Sequence, residues 1–126
     1  VKYSKENLYG ITLVSLSKKF HDEYEPYSAD IKSRIKALKY LHENGCKTWV
    51  SMEPYTSPNI IEQDIVEILD KISFVDKIVF GRTNYNSLIS SYKKHKEFYN
   101  TQAQIVIDFC ENHKIKYHIK KGTIRN

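Results

Sequence analysis

The sequence predicts an α/β domain built on a parallel sheet. Three observations carry that prediction. Short β-branched, aliphatic segments alternate with helical apolar stripes. The strand starts recur at roughly 30–38 residues, the size of a strand–helix–strand unit. No linker, repeat or low-complexity tract divides the 126 residues, a length suited to one domain or part of one. Strands alternating with helices imply right-handed parallel crossovers. Two architectures satisfy the order: a small doubly wound sheet, or a slice of a β/α barrel.

The first strand is expected over 10–16, where Gly10-Ile11-Thr12-Leu13-Val14-Ser15-Leu16 carries no charge and suits burial on both faces. Polar residues and Pro26 follow. Ser28 is the expected N-cap of a helix whose apolar positions are Ile31, Ile35, Leu38 and Leu41, stopped by Gly45. The second strand covers 47–53 and ends at Pro54. Ser57-Pro58 supplies a cap and a first-turn proline for a second helix striped by Ile61, Ile65, Ile68, Leu69 and Ile72, with Glu62 and Asp64 near its positive end. The third strand is 77–82. A polar stretch over 83–99 follows, with a short helix around 88–94. A helix then starts at Asn100 or Thr101, where Thr101 and Gln104 form a capping box, and it buries Ile105, Val106, Phe109 and Cys110. The fourth strand is 115–119, closed by Lys120-Lys121-Gly122.

Composition narrows the class. Hydrophobic residues make up 40% and aromatics 13%, enough for a packed core and against wholesale disorder. No apolar run approaches the ~20 residues of a membrane helix, so no membrane partner is expected. The polar start Val1-Lys2-Tyr3-Ser4-Lys5 lacks a secretory signal. Val1 is not an initiating methionine, which fits a piece of a longer protein. Cys46 and Cys110 form neither a CxxC pair nor a disulfide framework, so a reducing, cytoplasmic setting is expected. The net charge of +5 permits an anionic partner without requiring one. His21, His42, His95, His113 and His118 show no metal-binding spacing, and there is no GxGxxG, Walker-type or GxSxG motif.

Chemistry in parallel β/α folds gathers at the carboxyl ends of the strands. Side chains alternate along a strand, so Trp49, Ser51 and Glu53 share one face, and Thr48, Val50 and Met52 share the helix-packed one. Ser15 stands near the end of the first strand. Ile78, Phe80 and Arg82 share a face of the third, with Asn84 at the next same-side position. His118, Lys120 and Lys121 end the fourth. A polar rim is therefore expected from Ser15, Ser51, Glu53, Arg82, Asn84, His118 and Lys120. A purely structural Glu53–Arg82 ion pair is the simpler reading of two of them.

The string from Gly10 to Ser17, then Tyr24-Glu25-Pro26, the helix end from Ala37 to Gly45, Trp49-Val50-Ser51-Met52-Glu53-Pro54 and Ile78-Val79-Phe80-Gly81-Arg82 form an ordered succession. Over about residues 8–122 it resembles the second half of the radical S-adenosylmethionine (SAM) enzymes, nearest the spore photoproduct lyase-like branch. The resemblance implies the C-terminal half of a partial, TIM-like β/α barrel that binds SAM and a [4Fe–4S] cluster. It implies that Ser51 and Glu53 contact SAM, that Ser15 lies near its amino-acid moiety or ribose, and that Arg82 and Asn84 line the adenine or substrate side. The whole enzyme would cleave SAM reductively and act on an unidentified substrate as a lyase or oxidoreductase. The nearest branch includes DNA-lesion repair enzymes.

The family's cluster-binding Cx3Cx2C motif is missing, and Cys46 and Cys110 match neither its position nor its spacing. The chain alone is thus expected to hold neither the cluster nor SAM and to be inactive; both belong to the full-length protein. Cutting a barrel is also expected to leave an exposed edge beside lumen-facing Leu13, Trp49 and Phe80, and to favour self-association. Two readings stand beside this one: a non-enzymatic α/β module that binds nucleic acid or another anion through Lys93, Lys94, Lys96, Lys120 and Lys121, and a plain interaction domain.

Overall fold

The computed structural model describes residues 6–82 and 94–125. Its elements in chain order are β1 (Leu8–Thr12), α1 (Lys18–Tyr24), α2 (Ile31–Glu43), β2 (Lys47–Tyr55), α3 (Ile65–Lys71), β3 (Lys77–Arg82), α4 (His95–His113) and β4 (Lys116–Ile119). The strands pair in parallel, in the order β1-β2-β3-β4. The expected α/β class with a parallel sheet is therefore present. Spatial order follows chain order with no reversal, whereas a doubly wound sheet reverses at its switch point.

The core lies on one face of this sheet. Val50, Met52, Ile78 and Phe80 are fully buried with Leu38 of α2, Ile65, Ile68 and Leu69 of α3, and Tyr99, Ala103, Val106 and Cys110 of α4. Helix α2 packs on β1 and β2, and α4 on β3 and β4. The strict alternation along β2 reflects this one-sided cover: Thr48, Val50 and Met52 are buried, and Trp49, Ser51 and Glu53 only partly so. Leu13 and Phe80, expected on the open side, are buried in this core instead. Of the three residues expected there, Trp49 alone keeps its place.

Several boundaries differ from expectation, each for a local hydrogen-bonding reason. Strand β1 stops at Thr12, with one further bond from Leu13 N–H to Ser51 O at 2.9 Å. Beyond it, Ser15 and Ser17 hydroxyls take over backbone donors. Ser15 Oγ accepts from Ser17 N–H, and Ser17 Oγ accepts from Phe20 N–H to start α1, a helix the sequence reading omits. Helix α2 is capped by Asp30, which accepts from Ser33 N–H at 2.8 Å, and not by Ser28. Ser28 donates to Glu25 O and meets His21 Nε2. Helix α3 is likewise capped by Asp64 rather than Ser57; Ser57 organises a turn over 58–60. Helix α4 begins at His95, earlier than the Thr101–Gln104 box, and Gln104 donates to Asp108 inside the helix. Lys114 ends α4 in the left-handed region, φ 57°, with Ile115 N–H bonded to Cys110 O.

Candidate functional site

The face of the sheet opposite the helices is a shallow groove of about 460 Å³, lined by Leu8, Trp49, Ser51, Glu53, Lys77, Val79, His118 and Lys120. Its composition follows from register. Ser51 is level with Thr12 and Val79, and Val79 with His118, so these side chains form one row across the sheet. One step toward the carboxyl ends, Glu53 and Lys120 flank Gly81, with Lys120 Nζ 3.7 Å from Glu53 Oε2. A Cβ at Gly81 would come within 2.9 Å of Lys120 Cγ and 3.0 Å of Glu53 Oε2. Glycine therefore makes the space in which this pair lies. At the other end of the groove the Trp49 indole covers Gly10, where a Cβ would sit 2.2 Å from Nε1.

Both members of the ion pair are accessible, with side-chain exposures of 35% for Glu53 and 52% for Lys120. Such a pair contributes only about 0–1 kcal/mol to stability. Its carboxylate and ammonium are available to a ligand at little cost to the fold. The Ser51 hydroxyl has no hydrogen-bond partner among the described residues. The groove thus offers an acceptor, a cationic donor, a hydroxyl and an indole face along one wall.

The structure assembles Ser51, Glu53, His118 and Lys120 as the rim reading expects. It separates the others. Ser15 is buried, with its hydroxyl engaged by Ser17 N–H, so it serves the turn into α1. Arg82 follows the parity of Ile78 and Phe80 onto the covered face, where its guanidinium lies 5.2 Å from the centre of the Tyr99 ring. The expected Glu53–Arg82 pair is replaced by Glu53–Lys120. Asn84 and Lys93 lie outside the described residues. Lys94, Lys96 and Lys121 are exposed.

The cysteines do not contribute to the groove. Cys46 follows α2, Cys110 lies in α4, and both are buried. Burial pushes the Cys110 thiol up to about 11, which makes it a poor nucleophile and ligand at neutral pH. Among the described residues no group of three His, Cys, Asp or Glu side chains is placed to hold a metal ion. No described helix is long and apolar enough to cross a membrane.

Sequence reasoning missed Gly10 and Gly81, although a glycine inside a strand signals a close approach. It also missed the support behind the rim. Arg34 donates to Thr12 O at 2.6 Å and to Glu25 Oε1 at 3.1 Å, tying the end of β1 to α2. Gln63 donates to Val14 O at 2.8 Å, and Tyr99 O–H to Tyr55 O. These contacts span 9 to 49 residues of chain and have no local signature. Comparison with protein-family models, curated proteins and solved structures finds no match for the chain.

Proposed function

We propose that the open face is the inner wall of a partial, TIM-like β/α barrel of the radical SAM type, and that in the full-length enzyme it supplies contacts that orient SAM. The observation that carries the reading is the convergence of Ser51, Glu53, His118 and Lys120 toward the carboxyl ends of an unreversed parallel sheet. That is where ligands bind in barrels of parallel strands.

The donor set fits the ligand. SAM brings an ammonium, a carboxylate, a sulfonium, ribose hydroxyls and a flat base. Glu53 suits its ammonium, Lys120 its carboxylate and Ser51 a hydroxyl. The Trp49 indole suits the sulfonium or the base. The groove volume falls in the usual range for small-ligand sites. In enzymes of this type SAM and a [4Fe–4S] cluster together supply a carbon-centred radical that takes hydrogen from the substrate. The described residues do not fit that cluster, because Cys46 and Cys110 are buried and neither lines the groove. The role proposed for this chain is therefore confined to binding, orientation and exclusion of water.

Calorimetric titration of SAM into the full-length, cluster-reconstituted protein tests the reading. SAM is expected to bind, and Glu53→Gln and Ser51→Ala are each expected to weaken it about tenfold. Equal affinity in the wild type and both variants overturns the assignment. A second reading, an anion-binding module, is favoured by the exposure of Lys94, Lys96 and Lys121. It requires nucleic-acid binding that falls steeply with salt and ignores Glu53→Gln.

A further inference from the structure

Two arginines are tucked into this fold, and among the described residues only Arg34 has a counter-ion. Arg34 is matched by Glu25 and by a backbone carbonyl. Arg82 is 6% exposed, and its Nε and Nη1 have no hydrogen-bond partner among the described residues. The Tyr99 ring beneath it replaces part of the lost hydration. A guanidinium removed from water without an anion remains strongly unfavourable. The ionisable groups that act on Arg82 are Arg125, a second cation, and Tyr99; no carboxylate is among them. Burial, then Arg125, holds the Arg82 guanidinium below its ordinary value. The residues that follow it, 83–93, contain no Asp or Glu in their sequence.

Two hydroxyls at this end of the sheet are also unspent among the described residues, whereas Arg125 Nε donates to Gly122 O at 3.1 Å. Tyr55 is level with Arg82 across the β2–β3 pairing, and the next residue, Thr56, is buried with no partner for its hydroxyl among the described residues. Thr123, 1% exposed, is in the same condition. Its turn is anchored to the end of β3, since Thr123 N–H bonds Lys120 O and Lys120 N–H bonds Phe80 O. Arg125 is held against α4 by Asn100, which accepts from Arg125 N–H at 2.8 Å and donates to Arg125 O. Asn100 is the neighbour of Tyr99, on which Arg82 lies.

We propose that Arg82 and Arg125 form a binding site for a phosphate monoester, with the Thr56 and Thr123 hydroxyls as further donors. Two positive charges match the near-dianionic state of such a group at neutral pH. The guanidinium fork presents paired N–H donors that suit phosphate oxygens. A nucleic-acid strand fits less well, because its many phosphates call for a spread of exposed cations rather than one buried fork. The site does not depend on the SAM reading, since Arg82 follows Phe80 onto the face opposite Glu53 and Lys120.

Calorimetric titration with inorganic phosphate and ribose 5-phosphate, with acetate as a carboxylate control, tests this site. Both phosphates are expected to bind and acetate is not. Arg82→Met is expected to reduce phosphate affinity about thirtyfold or more. Arg82→Lys, which keeps the charge and loses the fork, should reduce it about tenfold. Arg125→Ala alters an exposed residue, so it provides a folded variant with weakened binding if the core changes unfold the chain. No phosphate binding by the wild type overturns the site. So does binding equal in the wild type, Arg82→Lys and Arg125→Ala, which would assign phosphate to the surface lysines.

Discussion

Val50, Met52, Ile78 and Phe80 are sealed beneath helices. Trp49, Ser51, Glu53 and Val79, one step along the same two strands, line the open groove. The two faces share backbone, hydrogen-bond ladder and twist, so their difference is one of side chain alone. The covered face of β2 and β3 is apolar apart from Thr48 near its start and Arg82 at its end. The open face mixes an indole, a hydroxyl, an imidazole and both signs of charge. A sheet covered on one side can use the other for recognition because stability rests elsewhere. On the open side an indole covers Gly10, and on the covered side lies a cation with no carboxylate partner among the described residues.

The sharpest way to break this comparison is to delete a side chain from the sealed face. Phe80→Ala is expected to destabilise the chain by about 3–5 kcal/mol, because Phe80 touches the Tyr55 ring at 5.3 Å between centroids and its cavity cannot drain to solvent. Urea unfolding followed by circular dichroism measures the loss. A value below 1 kcal/mol would mean the helices do not seal this face.

A smaller effect is expected from adding volume on the open side. Gly10→Val places atoms where the indole now lies, so Trp49 must swing off the sheet. The cost is about 1–3 kcal/mol, less than deep overpacking because the ring has solvent to move into. Trp49 is the single tryptophan, so its fluorescence should shift to longer wavelength. An unshifted spectrum would show that the indole does not cover Gly10.

The smallest effect comes from the rim itself. Lys120→Met removes an accessible ion pair and is expected to change unfolding free energy by about 0–1 kcal/mol. A loss above 2 kcal/mol would make the Glu53–Lys120 pair a structural element and weaken its claim as ligand contacts.

Legibility in the sequence varied with the range of the interaction. Period-two alternation in β2 identified its buried and open faces correctly, since the pleat alone dictates which residues share a side. The same rule would have sent Arg82 to the face opposite Glu53 had the two strands been put in register, but register is a property of the pairing and not of either strand. Caps were misplaced by a few residues where several candidates compete, as with Ser28 against Asp30 and Ser57 against Asp64. The winner is the residue whose oxygen reaches a free N–H in the folded turn. Ser15 shows the same limit. Its position near a strand end was legible, whereas its engagement by Ser17 depended on where the chain turned.

The sequence by itself determined the alternation of strands and helices, the apolar stripe of each helix and the two-sided character of β2. Those features depend on neighbours within a few residues, where covalent geometry imposes the period. Only the tertiary structure decided that spatial order follows chain order, that Glu53 pairs with Lys120 across Gly81, and that Arg82 lies buried against Tyr99. Each of those joins residues 17 to 67 positions apart. Such partners are chosen by the packing of α4 and by strand register, to which no local pattern refers.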